Sequence, residues 1–232
     1  MDFAKTGCLH IVPTPIGNMA DITLRSIDIL KQADVVLSED TRETSKLLTY
    51  YKIEGKKQVS YRDQNHTRVM PQVLDMLKAG LSIALVSDSG TPLISDPGYK
   101  LVNEVKKQGY KVVPLPGPSA IITALSASGL PTDKFIFLGF LPKKSGPRHD
   151  ILRKFCQFDA TICVYESPFR LIKLLEEISQ VAGDRTICLA SEMTKMYERF
   201  ETGKISQVLP KLTTNTTRGE HVVLIAKEGF ED

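Results

Sequence analysis

The chain has 232 residues, 42% hydrophobic and 25% charged, with a formal charge of +3. That composition is ordinary for a globular protein and supplies a core for one large domain or two small ones. A charge this small neither marks nor excludes a nucleic-acid binder. The four cysteines form no CxxC pair, so no zinc or redox site is signalled and no metal is expected. No signal peptide opens the chain and no apolar run approaches the length of a membrane span, so a cytoplasmic protein is expected.

Leu9–Val12 reads as a short strand. It ends in Pro13-Thr14-Pro15-Ile16-Gly17-Asn18, after which Asp21 caps a helix through Ile22, Leu24, Ile27 and Leu30. This turn lacks both GxGxxG and the GKS/T of a phosphate loop. Ala33–Leu37 is a second strand, running into Ser38-Glu39-Asp40-Thr41-Arg42. Two carboxylates and an arginine there suit the positioning of a polar substrate, and Asp40 or Thr41 equally suits a helix N-cap. Gln58–Tyr61 is a third strand, and His66 in the polar segment after it reads as a solvated loop residue. The apolar run Leu81–Val86 is a buried strand. The twelve residues that follow, Ser87 to Gly98, are rich in glycine, proline, aspartate and serine. Plain connectors run to about two to six residues, so this loop is read as a ligand loop at the carboxyl end of a strand. Lys111–Pro114 is another strand, and Pro116-Gly117-Pro118-Ser119-Ala120 opens an apolar helix whose free N–H groups favour an anion. Three Pro/Gly-rich loops of one style, at 13–18, 87–98 and 115–120, point to one shared cleft on a parallel sheet.

Near residues 129–134 the character of the sequence changes. The expected division is an N-terminal α/β domain over 1–130 and a C-terminal α/β domain over 131–232, with a cleft between them as the natural site. Phe135–Phe140 is a strand of the second sheet. Leu141 to Arg148 reads as a basic, flexible loop in which Lys143, Lys144 and Arg148 can track a phosphate backbone, or simply form a solvated surface. Thr161–Tyr165 and Thr186–Ala190 are strands, Tyr197–Phe200 is another with Gly203 at a turn, and Glu220–Lys227 holds the final apolar strand.

The segments 12–18, 38–42, 87–98 and 116–120, with Tyr165-Glu166-Ser167-Pro168 and Glu192-Met193-Thr194-Lys195, together resemble the tetrapyrrole-methylase superfamily. Within it they resemble the ribosomal RNA small-subunit methyltransferase I family over nearly the whole chain. The resemblance implies two α/β domains with S-adenosylmethionine between them, a homodimer, and 2′-O-ribose methylation of a cytidine in the decoding region of 16S rRNA. On that reading Glu39 or Asp40 orients or deprotonates the 2′-hydroxyl and Arg42 grips a neighbouring phosphate. Pro15, Asp88, Gly90, Thr91, Ser119 and Ala120 hold the amino-acid end and ribose of the cofactor, while Tyr165, Met193 and the segment before the final strand flank the adenine. Two features depart from the family pattern. The stretch Arg62-Asp63-Gln64-Asn65-His66 replaces an expected His-x-His-Asn-Glu, which leaves no acid at position 66. The sequence also stops at Asp232, where many members continue: if that extension docks the ribosomal subunit, either RNA affinity comes from elsewhere or the sequence is cut short.

Three other readings stay open from sequence: a methyltransferase of the same fold acting on a tetrapyrrole, a non-catalytic RNA-binding module, and a phosphate-binding enzyme. Cofactor binding would exclude the second. The missing phosphate-loop signatures count against the third.

Overall fold

A computed structural model of the chain describes residues 7–213 and 217–231. The chain divides into two compact units, one ending at Ser119 and the other beginning at Ala120. The division falls about ten residues before the change in sequence character. The reason is that the helix Ala120–Ala127 lies against the last strand of the second unit.

The first unit contains β1 (Cys8–Ile11), α1 (Leu24–Gln32), β2 (Val35–Ser38), α2 (Thr41–Tyr50), β3 (Lys57–Ser60), α3 (His66–Lys78), β4 (Ser82–Leu85), α4 (Tyr99–Lys107) and β5 (Lys111–Pro114). Its sheet is parallel throughout, in the order β3-β2-β4-β1-β5. Parallel strands need both faces covered, and the side chains divide accordingly. Leu9, Leu37, Ile83 and Leu85 pack with Val73 and Leu77 of α3 and Leu101 and Val105 of α4. Val36, Ala84 and Val86 pack with Leu30 of α1 and Leu47 and Leu48 of α2. Burying each of these Val, Leu and Ile side chains contributes about 1.5–3 kcal/mol. Because β4, β1 and β5 are adjacent, the loops that follow them share one edge of the sheet.

The expected helix cap moves. Asp21 sits in a 3₁₀ turn, Met19–Asp21, capped by Asn18. The helix proper starts at Leu24, because the Thr23 hydroxyl accepts the Ser26 N–H at 3.0 Å.

The second unit contains α5 (Ala120–Ala127), β6 (Phe135–Phe140), α6 (Ser145–Phe155), β7 (Thr161–Glu166), α7 (Leu171–Ala182), β8 (Thr186–Ser191), β9 (Arg199–Lys204), α8 (Ile205–Val208) and β10 (His221–Ile225). Its sheet is mixed, in the order β6-β7-β10-β8-β9, parallel only at β6–β7. Leu152, Leu171, Leu174, Leu175, Ile178, Ile205 and Val208 cover one face. Two expectations change here. The last long hairpin partner is Arg199–Lys204, and Gly203 lies inside it, paired with Ile187, instead of at a turn. The segment read as a flexible loop up to Arg148 becomes helical from Ser145 onward. No helix among the described residues is long and apolar enough to cross a membrane.

Candidate functional site

The carboxyl edge of the first sheet is a set of loops tied to one another. Thr14 and Gly90 exchange both backbone hydrogen bonds, at 2.9 and 3.1 Å, forming a two-residue bridge between the loops after β1 and β4. The Thr14 hydroxyl donates to the Ser87 carbonyl at 3.1 Å, and the Thr91 hydroxyl to the Pro118 carbonyl at 2.8 Å. The loop after β5 therefore joins the same layer. Gly117 makes this close approach possible: a Cβ there would lie 2.5 Å from Pro13 Cβ. The turn after β2 is fastened on as well, since the Asp40 N–H donates to Asp88 Oδ1 at 3.0 Å.

The loop after β4 departs from favourable backbone. Leu93 and Ser95 carry positive φ of 76° and 64°, in a region that costs non-glycine residues free energy. Such conformations persist only where surrounding bonds over-determine them, and this loop has those bonds.

Its electrostatics separate the acids. The Asp40 carboxylate caps α2, accepting the Arg42 N–H at 2.9 Å, and takes the Arg42 guanidinium at 3.1 and 2.6 Å. Those hydrogen bonds hold its carboxyl far below the usual range, which makes it a poor proton acceptor. The Arg42 side chain is 84% exposed. Glu39 behaves in the opposite way: partial burial, then the Asp88 charge, push its carboxyl up. Arg62 donates to the Glu39 carbonyl at 2.7 Å and fixes its backbone. Asp96 was not singled out from the sequence, where nothing distinguishes it from Asp88. Burial and then the Glu39 charge push its carboxyl up to about 6, and the Ser87 hydroxyl lies within hydrogen-bond reach. His66 is the first residue of α3, and its Nδ1 lies 2.7 Å from the Asp63 carbonyl. A carbonyl only accepts, so Nδ1 carries the proton there.

Pro15 is buried, Asp88 is exposed, and Gly90 sits in the bridge with φ 78°. Thr91 and Ser119 are half-buried members of the same loops. Ala120 opens α5 in the second unit. Tyr165 lies on β7, its ring 5.0 Å from that of Phe137 and 5.4 Å from that of Phe140. Met193 is buried in the turn after β8. That turn is shaped by Glu192 (φ 49°) and Thr194 (φ 65°). The Glu192 carboxylate accepts the Glu220 N–H at 2.9 Å and the Lys195 ammonium at 3.1 Å, and Gly219 leaves it room that any Cβ would take. Of the segment before the final strand, residues 214–216 lie outside the described residues.

The basic trio does not stay together. Lys143 and Lys144 are exposed, but Arg148 is 2% exposed and bonds Glu177 through two nitrogens. The expectation that Arg148 touches RNA is corrected, because a buried guanidinium already paired with a carboxylate has no face left for a phosphate. The sequence also left unnoticed a neutral polar pair. His221 is 3% exposed, its Nδ1 is 2.8 Å from the Ser191 hydroxyl, and its Nε2 is 2.8 Å from the Thr217 carbonyl. Burial pushes its pKa down, and the carbonyl places the proton on Nε2.

The family model described as Tetrapyrrole (Corrin/Porphyrin) Methylases matches residues 8–209. The chain is similar to the ribosomal RNA small subunit methyltransferase I of Vibrio cholerae, 47% identical over 227 residues, covering 97% of this chain and 78% of that one. It is 45% identical to the protein of that name from Escherichia coli O157:H7, over 94% of this chain and 77% of that one. Among solved structures, a diphthine synthase superposes with a TM-score of 0.76 at 14% identity, covering 97% of this chain and 91% of that one, a likeness of fold alone.

Proposed function

The chain belongs to the ribosomal RNA small subunit methyltransferase I family of the tetrapyrrole methylases, and from that premise we propose that it methylates a ribose 2′-hydroxyl of a 16S rRNA cytidine with S-adenosylmethionine. The observation that carries the geometric side is the locked edge of the first sheet, where the loops after β1, β4 and β5 and the turn after β2 are hydrogen-bonded into one layer.

The residues there suit the cofactor. Glycine-rich turns present main-chain groups to an amino-acid moiety. The carboxylates Asp88 and Asp96 complement a cationic sulfonium and the hydroxyls of a ribose. S-adenosylmethionine supplies an electrophilic methyl on a good leaving group. The protein's task is then to align the acceptor oxygen, which can provide several kcal/mol of the barrier reduction, and to take its proton. Glu39 is the proton acceptor on this reading. Its raised carboxyl holds a proton better than Asp40, which is committed to Arg42 and to the cap of α2. Arg42 stays the candidate for the phosphate grip, because its side chain is exposed. Pro15, Asp88, Gly90, Thr91 and Ser119 are proposed as cofactor residues, and Ala120, Tyr165 and Met193 as further single-residue candidates. Lys143 and Lys144 are proposed for RNA. A homodimer and a cytoplasmic setting complete the proposal. The tetrapyrrole alternative is left with the shared fold as its support.

The test is methyl transfer from labelled cofactor to purified small ribosomal subunits, with mapping of the modified nucleotide. Glu39→Gln is expected to lower kcat by roughly 10²–10⁴-fold while calorimetric S-adenosylhomocysteine affinity stays near wild type. Wild-type turnover in that variant removes Glu39 as the base. Label on a tetrapyrrole and none on rRNA removes the substrate.

A further inference from the structure

The reading of Lys143 and Lys144 as RNA contacts leaves the arrangement beneath them unexplained, and the inference here rests on that reading. Three successive carbonyls, those of Leu141, Pro142 and Lys143, are each held by a guanidinium. Arg170 Nη2 donates to Leu141 O at 3.2 Å. Arg148 Nη1 donates to Pro142 O at 3.0 Å and to Lys143 O at 3.1 Å. Both arginines are themselves anchored by two-pronged pairs. Arg170 bonds Glu166 at 2.7 and 2.8 Å, and the Glu166 side chain is fully buried. Arg148 bonds both oxygens of Glu177, whose Oε1 also accepts the Ser145 hydroxyl at 2.7 Å. Planar forks of this kind fix direction as well as distance.

This is more apparatus than a surface connection needs. Buried ion pairs add little net stability compared with apolar packing, so their value lies in specifying a shape. The shape specified is a strap from Leu141 to Ser145 whose carbonyls are turned to the protein. Lys143 and Lys144 stand exposed on it, and among the described residues neither makes an ion pair. The charges of the two arginines and two glutamates cancel, which leaves the two lysines as the strap's net charge. Arg153 and Lys154, exposed at the far end of α6, extend the basic character.

We infer that Arg148 and Arg170 are positioning residues that hold the 141–145 strap so that Lys143 and Lys144 meet the phosphate backbone of the RNA substrate. A lysine is a flexible point charge, and fixing its backbone lowers the ordering cost of each phosphate contact.

The experiment uses the full chain and purified small ribosomal subunits, measuring affinity over a salt series together with KM and kcat for methyl transfer. Lys143→Ala/Lys144→Ala should weaken binding and reduce the slope of log affinity against log salt by roughly 1.4, about 0.7 for each phosphate contact to single-stranded RNA. Arg148→Met alone strands the Glu177 charge and can fail to fold. The paired variant Arg148→Met/Glu177→Met therefore replaces the buried pair with apolar side chains of similar size, and thermal denaturation checks that it folds. It should raise KM several-fold with the salt slope, kcat and S-adenosylhomocysteine affinity unchanged, because the charges remain and only their placement is lost. A folded paired variant with wild-type KM overturns the positioning role. An unchanged slope in the lysine double variant overturns the surface itself. If the wild-type protein transfers no methyl to rRNA, the proposed function fails, which is a separate result from either of these.

Discussion

The edge of the first sheet and the strap of the second unit both concentrate charge, and they do it in opposite ways. At the sheet edge Glu39, Asp88 and Asp96 are neighbours of one sign, and the carboxyls of Glu39 and Asp96 rise, the latter to about 6. Under the strap every carboxylate has its own guanidinium, and the hydrogen bonds from Arg148 bring Glu177 down to about 2. Burial, with neighbouring like charges adding to it, raises the carboxyls of Glu39 and Asp96 and weakens the fold locally. Pairing opposite charges silences them chemically and spends their directionality on the shape of the backbone. Glu177 is buried beside a guanidinium and its carboxyl falls, while Asp96 is partly buried beside other carboxylates and its carboxyl rises.

The comparison breaks most sharply at Glu177. Glu177→Ala leaves a guanidinium buried without its counter-charge and should cost about 3–5 kcal/mol in chemical denaturation. A loss well under 1 kcal/mol would mean that the pair is not buried in solution. The same pair sets an acid limb. Glu177 is held below its ordinary 4.5, so its contribution is complete above that pH and is lost as pH falls toward about 2. A smaller effect is expected at Gly117. Gly117→Ala drives a methyl into Pro13 and should cost about 1–3 kcal/mol, with weakened S-adenosylhomocysteine binding in calorimetry.

Asp96→Asn should act in the reverse sense and stabilise. The folded state holds the Asp96 proton more tightly than the unfolded chain, so that group's contribution falls as pH rises from about 3.8 to about 6. Removing the charge should raise the melting temperature at pH 7, and the gain should fade as pH drops through 6. A gain of equal size at pH 5 would assign it to something other than ionisation. The smallest change is expected at Arg42. Arg42→Ala, at an exposed side chain, should shift stability by no more than about 0.5 kcal/mol. If it also leaves the KM for small subunits unchanged, Arg42 makes no phosphate grip.

Much of the first unit was legible in order of sequence, because its strands are short apolar runs and its loops are marked by proline and glycine. The loops at 13–18, 87–98 and 115–120 could be named as partners before any strand order was known. Distinguishing the acids within them was another matter: Asp96 and Asp88 share a loop and a residue type, and only burial separates them. The basic segment shows the same boundary from the other side. Lys143, Lys144 and Arg148 look alike in composition, yet Arg148 lies on the first turns of α6 facing Glu177 of α7, a residue 29 positions away.

Local chemistry, then, was enough to establish two α/β units, the three Pro/Gly-rich loops and the family to which the chain belongs, since periodicity, turn residues and motif order are properties of neighbouring positions. The tertiary structure alone decided which carboxyls rise and which fall, which arginine is buried, and how the strap is held. Those are properties of distance and burial between residues far apart in the chain, and a charge acquires its role from what the fold brings beside it.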